Sequence, residues 1–572
     1  MNIKLVFIII VLCYYESIFS QSSQQIDINN INARINTKGF LFGDPSGSTP
    51  GFEAPKNSGI HSINASNLWM GNSTNIAAST FGLITDYSSG PLNTNTAATS
   101  QVTQITYDKV WKVTKTEIDY HIGVKTGTII DPSYSTPTSI TTWPAHGDLS
   151  QNYSFYLAPY VDVNSDNFYD PNDGDYPKIK GHMATFTIYN DFTNHPLSGG
   201  QNIGVEIHQM VYAFGCISDD ALNNTIFVEY KVINRSSNSY PDFHFGVFSD
   251  ISIGNPYNEY VQCDVERNCY YQFNDNSTDT DTGGLLGYGD YHPTQGVLIL
   301  SGPWMDADGN DNQAFLNPNG LGFGDGLVDN ERLGMTSFMH NTGATGSYLG
   351  SPSTASQFHG IMNSYWVDNT YLRYRGLGHS SNFEFNTPSK FAYPGSSDPT
   401  GYGTSYVPYL SWSKDNSPIT PADNKSVGSL GPVTLDPGSV QTIELAYVFA
   451  QNTNITGVQA GKDLFIQYVD HIKGLYSNGS LDCTMITNIE TKKEENKIEL
   501  YPNPTSDIIT LVLPVSNMIS KINLIDNLGR TVYINTINNN ETQINLEKFA
   551  KGVYTLLIKT NDKVITKKIV KE

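Results

Sequence analysis

"NIGVEIHQMVYAFGCISDDALNNTIFVEYKVINRSSNSYPDFHFGVFSDISIG" (Asn202–Gly254) contains three strand-like runs, Asn202–Phe214, Asn224–Ser236 and Asp242–Gly254, separated by short polar turns. Their β-branched and aromatic residues suit a pleated surface, where successive side chains alternate between two faces. The three runs predict a meander or a sandwich sheet. His182–Asp191 and Ser439–Gln451 read the same way. Composition agrees. The chain of 572 residues is 12% aromatic and only 15% charged, too poor in charge for a helical bundle. It is also too long for one ordinary core, so two or more domains are expected. The predicted class is all-β: a mainly antiparallel β-sandwich body with few helices, followed by a smaller β-sandwich.

One stretch reads as helical. In Thr456–Gly479, Leu464, Tyr468, Ile472 and Leu475 share a face, and Asn478 with Gly479 supply a stop. Gly461 adds nothing apolar one turn earlier, so the helix is predicted to start after it. The low-complexity segment Ser88–Gln104 reads as a mobile loop or connector.

Residues 1–20 combine Lys4, an apolar run from Leu5 to Tyr15 and a small Ser20, the pattern of a cleaved secretory signal. No later stretch reaches the length of a membrane-spanning helix. Four cysteines remain after residue 20, and in an oxidising compartment an even count suggests disulfides. Cys263 and Cys269 are near enough to close a small loop, which would leave Cys216 with Cys483 as a long-range tie; four cysteines allow three pairings. Net charge is −22, yet residues 497–572 hold ten basic and seven acidic groups, so the body is the acidic part. That argues against nucleic-acid binding and is compatible with Ca²⁺.

The body spans 21–487, as one unit or two sub-domains, and a charged linker, 488–497, follows. Beyond it, prolines 502 and 504 oppose a helix, and five to seven short strand-like runs alternate with turn signals such as Asp526–Arg530. The motif residues Tyr501, Pro502, Asn503, Pro504, Gly529, Arg530, Gly552 and Tyr554, with the terminal Lys567–Lys571, resemble the type A C-terminal sorting domain of the type IX secretion system of Bacteroidetes. The resemblance covers 498–572. It implies an Ig-like β-sandwich that engages the secretion machinery, and a chain that is exported through periplasm and outer membrane and then secreted or held at the cell surface. Ile105–Val113, Thr141–Asp148, Leu157–Gly181, Tyr260–Asn268, Gly324–Met335 and Tyr393–Pro399 resemble a group of large exported Bacteroidetes proteins without established activity.

"DVNSDNFYDPNDGDYP" (Asp162–Pro177) carries an acidic or amide side chain at nearly every second position. Taken as a twelve-residue calcium loop, it offers Asp162, Asn164, Asp166, the carbonyl of Phe168, Asp170 and Asp173 as ligands. Asn167 stands where glycine is usual, and Asp173 where a bidentate glutamate is usual. Pro159, Pro171 and Pro177 exclude the flanking helices of an EF-hand, so the expectation is a structural Ca²⁺ loop in a β context. A second cluster, Asp306, Asp308, Asn310, Asp325, Asp329 and Glu331, fits one calcium template less well.

Serine-hydrolase (GxSxG) and zincin (HExxH) signatures are absent. His146, His182, His208, His244 and His379 are scattered; His208 and His244 read as sheet residues rather than ligands, with Glu206 and His208 on one strand face. Trp143 and the aromatics of Ser364–Gly376 are candidate sugar platforms set against ordinary core packing. Two functions follow: a Ca²⁺-stabilised surface protein with adhesive or structural duties toward a glycan or protein ligand, or a secreted glycan-active enzyme or carbohydrate-binding protein.

Overall fold

The expected strands between residues 202 and 254 form, but they divide between two sheets. Val205–Ala213 and Thr225–Asn234 pair antiparallel, Ile207 opposite Val232. Tyr240–Ile251 leaves them and pairs instead with His61–Gly71 and Lys425–Leu435. That crossing makes the body a sandwich rather than a meander.

The computed structural model describes residues 22–45, 49–81, 84–485, 499–512, 520–526, 530–537, 541–559 and 564–572. The predicted signal segment, the charged linker and Gly529 lie outside the described residues. The chain divides into two units, 1–485 and 486–572.

In the first unit, a nine-stranded sheet runs Glu259–Asp264, Cys269–Asn274, Thr294–Ser301, Val440–Ala450, Thr225–Asn234, Val205–Ala213, Met183–Asn190, Ser88–Ser89, with Trp111–Thr114 also on Met183–Asn190. An eight-stranded sheet is centred on His61–Gly71, Tyr240–Ile251 and Lys425–Leu435. Between them Ile207, Val228, Tyr230 and Tyr447 of one sheet meet Leu68, Phe245 and Val247 of the other. Each such burial contributes about 1.5–3 kcal/mol before entropy is charged against it. Two buried phenols are satisfied across the gap, Tyr447 by Ser66 at 2.7 Å and Tyr270 by Ser249 at 2.9 Å.

The nine-stranded sheet has a second core on its outer face. Tyr212, Phe214, Phe227, Leu298 and Ala446 pack there against Phe465, Val469 and Ile472 of the helix Val458–Ser477. This helix begins before Gly461, not after it, because Gly461 lies on the buried face: a Cβ there would come within 2.3 Å of the His292 carbonyl oxygen. The buried stripe is Val458, Gly461, Phe465, Val469 and Ile472, with Leu464, Tyr468 and Leu475 on its flank. Asn478 caps the helix and Gly479 turns the chain at φ +63°.

Ser88–Gln104 is packed rather than a free connector. Ser88–Ser89 pairs with Tyr189–Asn190, Leu92 is buried, and Ser100 caps the helix Gln101–Thr106. Its polar side chains are spent on turns and caps, Asn93 Oδ1 accepting the Asn95 and Thr96 amides at 2.9 and 3.1 Å.

Cys216 and Cys483 form a disulfide (S–S 2.00 Å), whereas Cys263 and Cys269 are free and buried, so the small-loop pairing does not occur. The pleat is the reason. Cys263 pairs with Tyr270 across the hairpin, which places Cys269 one residue on and facing the other way. Cys263 belongs to the core between the sheets and Cys269 to the outer one.

In the second unit, a three-stranded sheet (Glu499–Tyr501, Ile508–Val512, Glu541–Asn545) and a four-stranded sheet (Thr531–Ile537, Ser520–Ile525, Gly552–Lys559, Val564–Lys571) share the core of Leu511, Leu524, Ile544, Leu556 and Ile569. The motif residues act as clamps. Asn503 Nδ2 donates to the Lys568 carbonyl at 2.8 Å and its Oδ1 accepts the Val570 amide at 2.9 Å. Arg530 Nε donates to Asp526 across the turn at 2.8 Å, and the buried Tyr554 hydroxyl donates to Ala550 at 2.7 Å. Tyr501 is exposed.

Candidate binding groove and calcium loop

Asp162–Asp175 is the turn of a two-stranded ribbon in which Tyr160 faces Pro177 and Val161 faces Tyr176. The turn is organised by its own carboxylates. Asp162 accepts the amides of Ser165 at 2.7 Å and Asn167 at 2.8 Å, and Asp166 accepts that of Phe168 at 2.8 Å. Asn164 Nδ2 lies 3.0 Å from Asp166 and 3.4 Å from Asp173, so these three expected ligands converge. Asn167, in the glycine position, adopts φ +66°. Asp170 is turned aside, accepting the Asn172 amide at 2.8 Å.

Two supports of the loop were not foreseen. Asp175 is buried and bridges the base, accepting Val163 N–H at 2.8 Å and Asp170 N–H at 2.9 Å. His146 Nε2 accepts the Tyr169 amide at 2.8 Å, which leaves the proton on Nδ1 to be donated to the Phe155 carbonyl at 3.1 Å. The one local signal for Asp175 is its place between Gly174 and a Tyr-Pro.

The ribbon forms the shared wall of two cavities on the outer face of the nine-stranded sheet. The larger, about 830 Å³, lies between Val161, Tyr176 and Lys180 on one side and Tyr212, Glu444 and Tyr476 on the other. The smaller, about 490 Å³, is lined by Tyr156, Tyr160, Asp162, Asn167, His208 and Glu229. Lys178 contributes to both. Beside them Tyr156 and Phe168 stand 55% and 61% exposed.

An ion cluster spans the linings of the two cavities. Glu229 and Glu444 face each other on adjacent strands, and the Lys180 ammonium holds both, at 2.8 Å from Glu444. Glu444 also accepts from Tyr212 and, at 3.1 Å, from Tyr476. Burial works against the Lys180 charge, but the two carboxylates outweigh it and raise its pKa. Farther along the sheet, Glu206 accepts from His208 at 2.8 Å, Arg235 at 2.7 Å and the Leu92 amide at 2.8 Å. Burial pushes its carboxyl up, yet these partners hold it at about 2.

The second acidic cluster is gathered in part. Asp329 accepts the Asp308 and Gly309 amides at 2.8 Å, and buried Glu331 accepts that of Asn312. Asn310 donates its amide to Asp308 at 2.9 Å. Asp306 instead accepts the Thr434 amide at 2.7 Å, and Asp325 that of Leu327 at 2.9 Å.

Trp143 and Trp366 are buried, their ring N–H groups donating to the Pro159 and Gly378 carbonyls, so both are core residues. Ser381, His379 and Asp368 form a hydrogen-bonded chain, at 2.7 Å and 2.8 Å. It resembles a nucleophilic relay, but the Ser381 amide also points at His379 Nδ1, 3.2 Å away. The serine's own N–H is therefore spent on the turn and cannot receive an oxyanion.

Residues 499–572 match the family of secretion system C-terminal sorting domains. No curated protein matches the chain. Among solved structures, a polysaccharide lyase is similar at 7% identity and TM-score 0.18, over 64% of this chain and 34% of the lyase. PorZ, an essential bacterial surface component of the type-IX secretion system of Porphyromonas gingivalis, is similar at 10% identity and TM-score 0.13, over 73% of this chain and 48% of PorZ. This chain thus spans about a third of the one and about half of the other, and at these scores neither likeness carries an argument.

Proposed function

We propose that the body of this cargo, exported through the type IX route by its sorting domain to the cell surface or beyond, is a Ca²⁺-stabilised adhesive module whose ligand docks in the groove beside Asp162–Asp175. The observation that carries this reading is the shared wall: the base of the loop lines both cavities. Ca²⁺ held by Asp162, Asn164, Asp166, the Phe168 carbonyl and Asp173, without the averted Asp170, would offset the mutual repulsion of those carboxylates and stiffen the wall. Asp308, Asn310, Asp329 and Glu331 offer a second structural site of the same kind. Exposed Tyr156 and Phe168 give a ligand flat apolar surface, the usual partner of a sugar ring or an aromatic side chain.

The ion cluster weighs against a glycosidase. Such an enzyme keeps one carboxyl protonated beside an ionised one. Here Lys180 pairs with both Glu229 and Glu444, and Glu444 also accepts from Tyr212 and Tyr476, so the two carboxyls are spent on one ion cluster.

The test is a glycan array and a cell-surface binding assay on the mature protein, with Ca²⁺ and with EDTA. Binding should require Ca²⁺ and weaken at least tenfold in Tyr156→Ala, and EDTA should lower the body's melting temperature by several degrees. Binding and melting that ignore EDTA, with no calcium found by elemental analysis, would refute the reading.

A further inference from the structure

Away from the groove, the eight-stranded sheet carries a second arrangement of potential ligands. Asp242 and His244 lie on the strand Tyr240–Ile251 where its pairing with Lys425–Leu435 is interrupted by irregular register. Asp242 adopts φ +55° there. The helix Ala355–Met362, capped by Thr354 and anchored through buried Phe358, Ile361 and Met362, brings His359 against this bulge. One ligand atom from each of Asp242, His244 and His359 falls within 4.8 Å of the others.

We propose that Asp242, His244 and His359 form a binding site for a divalent transition metal of the Zn²⁺ class. Ligand bonds of about 2.0–2.1 Å at a tetrahedral ion place neighbouring donor atoms about 3.3 Å apart. Asp242 Oδ2 is already 3.3 Å from His359 Nε2, and its Oδ1 is 3.8 Å from His244 Nδ1. His244 Nδ1 now donates to the Asp242 carbonyl at 3.1 Å and His359 Nε2 accepts from Asn363 Nδ2 at 3.1 Å, so an ion would replace both contacts as the side chains rotate to close the remaining gap. The two imidazoles meet edge to face, with centroids 5.3 Å apart, as two rings sharing an ion would.

The Asp242 side chain is 60% exposed while that of His244 is 2% exposed, so an ion would enter past the carboxylate and keep water in its fourth position. Two imidazoles and one carboxylate select a borderline metal over Ca²⁺, which prefers six or more oxygens. A bound ion would join the helix Ala355–Met362 to the sheet.

The experiment titrates metal-free mature protein with Zn²⁺ alone and, separately, with Co²⁺ alone. One equivalent should bind, Co²⁺ should develop the visible absorption of a four-coordinate site, and excess Ca²⁺ should displace neither. Affinity should fall at least tenfold in His359→Ala and in Asp242→Asn; the second removes an exposed charge only and so remains informative if the first fails to fold. Absence of saturable binding at micromolar metal, or binding unchanged in Asp242→Asn, overturns the proposal.

Discussion

Glu206 shows how much one buried side chain can control. It meets the Arg235 guanidinium, the His208 ring and the Leu92 amide in a site closed to solvent. Truncation to alanine would strand Arg235 and an amide, at a cost of about 3 kcal/mol in urea unfolding at pH 7. The acid side follows from the same contacts. The folded carboxyl titrates near 2, below its unfolded value of 4.5, so protons bind the unfolded chain first as pH falls. Its contribution is complete above pH 4.5 and is lost between 4.5 and 2, on the order of 3 kcal/mol. Unfolding curves at pH 7 and pH 3 should therefore converge for wild type and Glu206→Gln; a constant gap would show that the charge is not what stabilises the site. From sequence, Glu206 and His208 could be placed on one strand face, since that needs only the two-residue period. Arg235 and Leu92 arrive from other segments, and no local pattern announces them.

At the scale of elements, glycine reports close approach. Gly461 and Gly474 belong to the same helix and differ in what a methyl group would meet. At 461 it would strike the His292 carbonyl oxygen, backbone that cannot swing aside; at 474 it would find open space. Gly474→Ala should raise stability by up to about 1 kcal/mol through helix propensity. Gly461→Ala should lower it by about 1–2 kcal/mol despite the same gain, because overpacking outweighs propensity. Opposite shifts in melting temperature would check the pair. The same contact explains why the predicted helix began too late: a glycine that looks like a gap in an apolar face is the point where the helix touches the sheet. The long strands were readable because their alternation is local, and the acidic turn Asp162–Asp175 because its polar side chains lie within one short segment. The groove was not, since Lys180, Glu229 and Glu444 meet only once strands far apart in sequence have paired. The cysteines make the same point, for nearness in sequence suggested Cys263 with Cys269 while the pleat faces them apart.

Across the whole molecule, the two units keep separate cores, and their functions separate in the same way. The sorting domain closes its own sandwich, and its tightest clamp is Lys571, whose buried ammonium donates to the carbonyls of Leu546, Glu547 and Phe549. All three N–H groups are used, and the Asp507 carboxylate lies 4.0 Å from the ammonium. Lys571→Met would leave the Glu547 and Phe549 carbonyls without donors, each costing on the order of 1 kcal/mol, while Leu546 keeps the Phe549 amide; a domain with a core this small has little margin to absorb the loss. The body holds none of these contacts and has its own long-range tie in Cys216–Cys483, which spans 267 residues and contributes about 2–4 kcal/mol that reductant should remove. The two perturbations should therefore act on different observables. Lys571→Met, like deletion of 499–572, should strand the chain behind the outer membrane while leaving the melting transition of the body in place. Cys216→Ala with Cys483→Ala should lower that transition and leave the sorting domain competent for export. Fractionating cells that express each variant, alongside calorimetry of the purified chains, separates the outcomes. If Lys571→Met were exported normally, recognition by the secretion machinery would not depend on the folded sandwich.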